Sequence, residues 1–273
     1  MARVVAVANQ KGGVGKTTTA INLSSCLAAA EKRTLLIDID PQANSSSGLG
    51  FFAQNGDLTI YEVLIGKTKA ADAVVPTMLP FLNLLPSHMR LAGAEVELVP
   101  MVAREHKLKE TLRNLIHEYE YIIIDCPPSL GLLTLNTLTA AGSVLIPIQC
   151  EYYALEGMGQ LLNSIHLVQK HLNPALTIEG VLLTMYDSRL NLSRQVAEEA
   201  RKYFPDKVYE ATIYRNVRLS EAPSFGKPII LYDILSTGAQ NYIALAKEMI
   251  SHGEDRVGTR AGGVDSHPAS GRP

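Results

Sequence analysis

The sequence contains few cysteines, little net charge and no long apolar run. Three cysteines among 273 residues (Cys26, Cys126 and Cys150) lie far apart, so no disulfide framework is predicted. The formal net charge of −2 gives no overall attraction to nucleic acid or anionic membrane, and any DNA site would have to be a local patch. No run approaches the roughly 18 apolar residues of a membrane span. These absences favour a soluble protein of a reducing compartment.

The two ends of the sequence lack the features of targeting segments. The first apolar run stops at Asn9, which is too short for a signal peptide. Hydrophobic residues make up 47% and charged residues 19%, enough for a sizeable core. After His252 the composition shifts to glycine, arginine, serine, aspartate and proline. We therefore expect one folded domain over residues 1–252 and a disordered tail over 253–273, without the apolar and basic faces of a membrane-binding helix.

A glycine-rich segment over residues 9–18, NQKGGVGKTT, joins an apolar stretch at 3–8 to a helical pattern at 20–27. Strand, glycine loop and helix form the context of a phosphate-binding loop. Glycines let backbone N–H groups converge on an anion, and the helix N-terminus adds partial positive charge. Lys16 is placed to reach the β- and γ-phosphates, and the Thr17 hydroxyl to hold Mg²⁺. The predicted phosphate cradle comprises Lys11, Gly12, Gly13, Val14, Gly15, Lys16, Thr17 and Thr18.

This loop departs from the general pattern G-x-x-x-x-G-K-[ST]. The first glycine of that pattern would fall on Gln10, and a second lysine, Lys11, lies inside the loop. The alternative is an ordinary glycine turn between a strand and a helix. Two lysines, three glycines and the flanking elements together disfavour that alternative.

Strands alternate with helices along the chain, which indicates an α/β fold with a doubly wound, mostly parallel sheet and helices on both faces. Residues 44–50 are predicted to form a polar loop, and 90–102 have no prediction. Predicted strands span residues 3–8, 33–40, 82–86, 121–125, 143–148, 178–185 and 208–213. Predicted helices span residues 20–30, 59–65, 106–119, 130–141, 156–171, 193–203 and 238–250.

Three aspartates follow or end predicted strands. Asp125 is placed like a Walker B aspartate, which holds Mg²⁺ through water; the alternative is an acid that caps a helix. Asp38 and Asp40 are separated by one residue and point the same way on a strand. One could assist Mg²⁺ while the other orients or deprotonates the attacking water, and the alternative is that one is only a turn acid.

These segments together resemble the ParA/Soj partition ATPases, members of the deviant Walker A group of P-loop NTPases. The likeness spans residues 2 to about 251. It rests on the loop at 11–18, on D-x-D-P-Q at 38–42, on DCPPS at 125–129, on VLLTMYD at 181–187 and on VRLSEAPSFGKP at 217–228. Residues 38–42 are similar to switch I of that family. Residues 125–129 are similar to its Walker B and switch II region.

The resemblance implies roles for individual residues. Lys11 would reach the partner subunit's phosphates in an ATP-sandwich dimer, and Asp40 would position the hydrolytic water. Lys11, Lys16 and Asp40 are thus the implied catalytic residues, and Thr17, Asp38 and Asp125 the implied Mg²⁺ site. A side chain at Gly12 would obstruct dimerisation. Glu151, Met185, Arg215 and Asn216 would lie near the adenine of ATP, where the family usually has proline in place of Tyr214.

Charge alone does not identify a DNA site. Residues 186–230 carry eight basic and six acidic side chains, which favours an ordinary solvated surface. The resemblance implies that Arg189 and Arg218 contact DNA. Contacts to phosphates would make binding independent of base sequence and strongly dependent on salt. The phosphate loop begins nine residues into the sequence, so operator-specific repression through a preceding helix-turn-helix region is not expected.

The implied function is chromosome or plasmid partition by a cytoplasmic, nucleoid-associated ATPase. Its ATP-bound homodimer would bind nonspecific double-stranded DNA, without a membrane, and a ParB/Spo0J-type centromere-binding partner would stimulate hydrolysis. A MinD-like positioning ATPase without DNA binding is the main alternative, although the tail lacks an amphipathic helix. The cysteine spacing disfavours a nitrogenase-type reductase. The N-K-x-D motif by which GTPases read their base is absent, which disfavours a GTPase. Retention of Lys16, Thr17, Asp40 and Asp125 disfavours a non-enzymatic scaffold.

Overall fold

The computed structural model describes residues 1–151 and 156–261, which form a seven-stranded sheet between layers of helices. The strands are β1 (Arg3–Val7), β2 (Thr34–Asp38), β3 (Val75–Pro76), β4 (Leu82–Leu85), β5 (Tyr121–Asp125), β6 (Ser143–Gln149) and β7 (Thr177–Thr184).

Twelve helices connect or flank these strands within the described part of the chain. They are α1 (Lys16–Ala29), α2 (Asn44–Gly48), α3 (Ile60–Leu64), α4 (Ala70–Ala73), α5 (Leu91–Leu98), α6 (Lys107–Leu112), α7 (Leu132–Ala140), α8 (Glu156–His171), α9 (Asn191–Tyr203), α10 (Val217–Glu221), α11 (Ile229–Tyr232) and α12 (Thr237–Ala261). Short 3₁₀ turns lie at Arg104–His106, Leu115–His117 and Ala222–Phe225.

The strand order is β3-β4-β2-β5-β1-β6-β7, and all pairings are parallel except that of β3 with β4. This confirms the predicted doubly wound α/β fold. The inner strands are continuous apolar runs because both faces of the sheet are covered; in β5, for example, every residue is buried. The carboxyl ends of the parallel strands meet at one edge, where ligands bind in open α/β sheets.

Alternating side chains of β1 divide the core between the two faces of the sheet. Val5 and Val7 pack into a cluster built on α1 and α12, whereas Ala6 packs into one built on α7, α8 and α9. A third cluster, around α3, α5 and α6, covers Leu35 of β2 and Ile124 of β5. The period of two along each strand therefore places helices on both faces.

Three segment predictions were wrong or incomplete, and one segment without a prediction contains a helix. Residues 44–48 form α2 rather than a loop. The predicted strand at 208–213 makes only isolated bridges to the region of β7, beginning at Val208. The predicted helix at 106–119 is divided into α6 and a separate 3₁₀ turn. Residues 90–102, left without a prediction, contain α5.

The last helix is longer than its sequence pattern indicated. It was predicted to end near residue 250, but α12 continues to Ala261. Residues 262–273, which hold most of the expected tail, lie outside the described part of the chain. Within the described residues, no helix combines the length and apolar character needed to cross a membrane.

Candidate nucleotide-binding site

The loop between β1 and α1 has the backbone shape of an anion cradle. Gly13 and Gly15 adopt φ angles of 73° and 88°, in the left-handed region that glycine enters without steric cost. Gly15 is also the N-cap of α1 and carries no side chain to satisfy the first N–H groups of the helix. Those donors therefore remain available to an anion, and the helix dipole favours negative charge there.

Neighbouring residues hold this loop in place. The Asn9 amide donates to the Pro147 carbonyl on β6 (2.7 Å) and accepts from the Lys11 N–H (3.1 Å). The Thr184 hydroxyl, at the end of β7, donates to the Val14 carbonyl (2.9 Å). The loop is thus fastened to two strands before any ligand binds, which lowers the entropic cost of closing around phosphates.

The two lysines of the loop differ in their surroundings. Lys16 is 7% exposed, and its Nζ donates to the Lys11 carbonyl at 3.0 Å. Burial lowers the pKa of Lys16, while nearby Asp125 and Asp40 oppose that shift. The Lys11 ammonium is half-buried and makes no hydrogen bond or ion pair with residues 1–151 or 156–261.

The predicted acids meet at the carboxyl edge of the sheet and form the carboxylate cluster (Asp38, Asp40 and Asp125). Asp38 and Asp125 are paired in register on β2 and β5, and both are fully buried. Desolvation raises the pKa of both carboxyls, and mutual repulsion adds to the rise for Asp125. Two ionised carboxylates so close together need cations or hydrogen-bond donors to remain charged.

Serines of α2 supply donors to this cluster. The Ser45 hydroxyl donates to Asp125 Oδ2 at 2.7 Å. Ser46 donates to Asp38 Oδ2 through both its N–H (2.8 Å) and its hydroxyl (2.7 Å). Asp38 Oδ1 accepts from the Asp40 N–H at 3.2 Å, so each Asp38 oxygen already has a donor.

The remaining oxygen of Asp125 fits a magnesium site. Asp125 Oδ1 is buried and has no hydrogen-bond partner among the described residues. The Thr17 hydroxyl also acts on this carboxyl and opposes the rise in its pKa. No cluster of three or more histidine, cysteine or acidic side chains suited to a metal is found in the described residues. A single unpartnered carboxylate oxygen beside the Thr17 hydroxyl suits Mg²⁺, which keeps waters and takes phosphate oxygens as its other ligands.

Asp40 follows β2 and is held in a turn. Its Oδ1 accepts from the Gln42 N–H at 2.9 Å, and its carbonyl accepts from the Ser87 hydroxyl at 2.7 Å. Asp40 is 7% exposed. A carboxylate fixed in this way can accept a hydrogen bond from a water molecule at the site.

A cavity of about 370 Å³ begins at the phosphate loop. It contains three of the four residues predicted near the adenine, Met185, Arg215 and Asn216, together with Gly15 and Thr18 of the cradle. The fourth, Glu151, does not line it but forms an ion pair with Arg215 at 3.1 Å.

Arg189 and Arg218, which together we call the arginine surface, are exposed, and acids lie beside both. Arg189 pairs with Asp187 at 2.7 Å, and Arg218 pairs with Glu221 at 2.9 Å. Hydrogen bonds from Arg189 lower the pKa of Asp187 to about 2. Neither arginine belongs to the set that lines the cavity.

A direct backbone contact joins Gly50, just after α2, to the segment that follows Arg218. A Cβ at Gly226 would lie 2.8 Å from the Gly50 Cα, so neither backbone leaves room for a side chain. Gly48 lies similarly close to Ile21 of α1, since a Cβ there would be 2.5 Å from the Ile21 Cδ1. The helix α2, whose serines donate to Asp38 and Asp125, is thereby packed between α1 and the 222–226 turn.

Sequence reasoning missed the serines that support the acids. Ser45, Ser46 and Ser87 are buried, although all three lie in polar or turn-like sequence. The available signal was the run of three serines soon after D-x-D-P-Q, since short hydroxyl side chains are common partners of buried carboxylates.

A glycine cradle with a buried lysine, next to carboxylates at the carboxyl edge of a doubly wound sheet, defines a P-loop nucleotide-binding protein. Residues 2–178 match the AAA domain family. The chain is 58% identical over 253 residues to the sporulation initiation inhibitor protein Soj of Bacillus subtilis, covering 93% of this chain and 100% of the relative. It is 59% identical over 248 residues to the chromosome partitioning protein ParA of Myxococcus xanthus, covering 91% and 88%.

A solved structure supports the nucleotide chemistry. Cobyrinic acid a,c-diamide synthase from Mycobacterium smegmatis, with bound ADP and magnesium, superposes with a TM-score of 0.83 and 39% identity, covering 94% of this chain and 97% of that one. The chain belongs to the ParA/Soj family of P-loop partition ATPases. It is an ATPase that uses ATP with Mg²⁺.

Proposed function

We propose that ATP binding joins two copies of this chain into a dimer that binds nonspecific DNA. A ParB/Spo0J-type centromere-binding partner would then stimulate hydrolysis and release the dimer from the nucleoid. The observation that carries the proposal is the Lys11 ammonium, which has no partner among the described residues although the Lys11 backbone is fixed on both sides. A cation held at the mouth of a phosphate site suits the phosphates of a second subunit's nucleotide.

The surroundings of Gly12 support the same arrangement. Gly12 is exposed, and a Cβ placed on it would meet no atom within 4 Å of its own subunit. Nothing inside the monomer therefore opposes a larger residue there. We expect such a residue to obstruct only the approach of a second phosphate loop.

Within each subunit, the groups of the site would divide the work of hydrolysis. The loop N–H groups of residues 12–18 and the Lys16 ammonium would bind the phosphates and stabilise charge that develops on them. Thr17 and Asp125 would hold Mg²⁺, with Asp38 beside them, and the ion would neutralise phosphate charge. Asp40 would orient the attacking water and accept its proton. Met185, Arg215 and Asn216 would lie beside the base, with Glu151 paired to Arg215.

The arginine surface would contact DNA phosphates, so affinity would be independent of base sequence. Dimerisation doubles the number of arginines that one DNA segment meets, which ties DNA affinity to the ATP-bound state. Slow turnover without the partner would follow, because the switch needs a long-lived ATP state.

Size measurement with ATP and Mg²⁺ tests the proposal. Asp40→Ala should give a stable dimer that binds DNA and hydrolyses no ATP, since the variant keeps the phosphate cradle and loses the acid that positions water. Gly12→Val is the matched variant, which should bind ATP and stay monomeric by light scattering. A monomeric Asp40→Ala protein with normal hydrolysis would contradict the proposal.

A further inference from the structure

Tyr214 lies in the wall of the nucleotide cavity, where the family resemblance leads us to expect proline. The cavity has Gly15 and Thr18 at the phosphate cradle and extends to Tyr214, Arg215 and Asn216. Its volume of about 370 Å³ is within the range of small-ligand pockets. A nucleotide with its phosphates on the cradle would direct its base into this space.

The backbone around Tyr214 is held from two sides. Its N–H donates to the Asn241 side chain of α12 at 3.2 Å. Residues on either side of it bond Tyr186, whose N–H donates to the Ile213 carbonyl (3.0 Å) and whose carbonyl accepts from the Arg215 N–H (3.1 Å). The ring therefore projects from a fixed point, as a binding surface requires.

Tyr186 packs against the Tyr214 ring without covering both of its faces. Its centroid lies 5.5 Å from that of Tyr186, with the two planes at 84°. In a perpendicular pair of rings, each ring keeps at least one face uncovered by the other. Tyr214 is also 39% exposed, so a planar ligand has access to it.

We propose that Tyr214 is a specificity-determining residue on which the purine ring of the nucleotide stacks. The inference rests on the proposed placement of the base in this cavity. Stacking on an aromatic ring strengthens binding of a base substantially and suits a purine, whose flat surface is larger than that of a pyrimidine. Arg215, held by its ion pair with Glu151, borders the same wall. Tyr242 also lines the cavity but is only 1% exposed, so Tyr214 offers the more accessible aromatic surface.

Calorimetric titration with two probes separates stacking from phosphate binding. Tyr214→Leu should weaken ADP binding by roughly tenfold, while Tyr214→Phe should stay within about twofold, because only leucine lacks the aromatic face. Inorganic pyrophosphate, which has no base, should bind all three proteins equally. Tyr203→Leu is the matched control, since Tyr203 on α9 is 63% exposed and does not line the cavity. Proline is a poor test at 214, because it removes the donor to Asn241.

A spectroscopic readout does not depend on affinity. The sequence has no tryptophan, so Tyr214→Trp introduces a single indole at the cavity wall. ADP should quench its fluorescence by stacking, and pyrophosphate should not. The same indole placed at 203 should respond to neither probe.

Two results would overturn the inference. Equal ADP affinity in Tyr214→Leu and the unaltered protein would exclude stacking on Tyr214. Equal weakening of ADP and pyrophosphate would assign the effect to the fold of the loop. In both cases the unaltered protein still binds ADP, so the proposed nucleotide site would stand. Failure of the unaltered protein to bind either probe would instead contradict the site itself.

Discussion

The carboxylate cluster and the arginine surface both carry concentrated charge, but the chain supports them differently. Asp38 and Asp125 are fully buried, and serines from another segment donate to both. Arg189 and Arg218 are exposed; Arg189 pairs with Asp187, and Arg218 pairs with Glu221 and Asp233. Charges in a buried site interact strongly and are little screened by salt, whereas exposed pairs contribute little and are screened. Changes in the carboxylate cluster should therefore alter ATP hydrolysis and folding stability at any salt concentration. Changes in the arginine surface should alter only DNA binding, in a way that depends on salt.

The largest difference between the two regions should appear in hydrolysis. Asp125→Ala removes the buried oxygen best placed for Mg²⁺ and should lower Mg²⁺-dependent ATP turnover by on the order of 100-fold or more. Phosphate release without DNA measures this. Arg189→Ala should leave the same rate within about twofold, and ADP binding in a chelator should survive in both variants. Unchanged turnover in Asp125→Ala would remove Asp125 from the metal site.

The next largest effect should appear in DNA affinity. Arg189→Ala combined with Arg218→Ala should weaken ATP-dependent DNA binding by roughly tenfold or more at moderate salt. The negative slope of log affinity against log salt should become less steep by about 3 to 4, because the proposed dimer loses four phosphate contacts at about 0.9 each. Filter retention over a salt series measures both quantities.

Two matched variants sharpen the DNA test. Arg194→Ala removes another exposed arginine, on α9, and should change neither affinity nor slope. Asp187→Asn frees Arg189 from its ion pair and should raise DNA affinity a few-fold, the opposite sign from removing the arginine. An unchanged slope in the double variant would locate the DNA contacts elsewhere.

The smallest effect should appear in the pH dependence of stability without nucleotide or Mg²⁺. The raised pKa of Asp125 means that the folded protein keeps a proton that the unfolded chain has released between about pH 4 and about pH 7. Stability from this group is present at low pH and is lost as pH rises through that window, by at most about 1.4 kcal/mol per unit. Asp125→Asn should flatten the slope in urea unfolding.

Asp187→Asn is the exposed counterpart for the pH experiment. The pKa of Asp187 is lowered to about 2. Its contribution to folding stability is therefore present above the ordinary range of aspartate pKa values and is lost only in more acidic solution. This variant should keep the slope of the unaltered protein between pH 5 and pH 7. Equal slopes in Asp125→Asn and the unaltered protein would mean that Asp125 does not titrate in this window.

Local pattern was enough to predict the sheet and the phosphate loop. The apolar runs of β1, β2 and β5 are largely buried, and the predicted positions of these three strands agree with the structure. Motif and strand-end position also located Lys16, Asp38 and Asp125, because the carboxyl ends of parallel strands meet at one edge. These features depend on residues close together in sequence.

The features that were missed depend on contacts between distant segments. The sequence of α2, NSSSG, has no apolar period, and Ser45 and Ser46 are buried against carboxylates rather than in an apolar core. The segment 208–213 is apolar enough for a strand, yet its bonds to β7 are interrupted along its length. The T-shaped contact of Tyr214 with Tyr186 likewise appears only once residues 28 positions apart are brought together.

The contact between Gly50 and Gly226 has a mechanical consequence. Most contacts between segments are made by side chains, which absorb small shifts by changing rotamer. Here main chain meets main chain, and a Cβ at either glycine would lie within 3.1 Å of the opposite backbone. A shift of α2 toward the 222–226 turn therefore cannot be absorbed locally and must displace the turn, together with the helix α10 that precedes it. The distance between these two segments is set by contact between backbone atoms, which cannot change rotamer to make room.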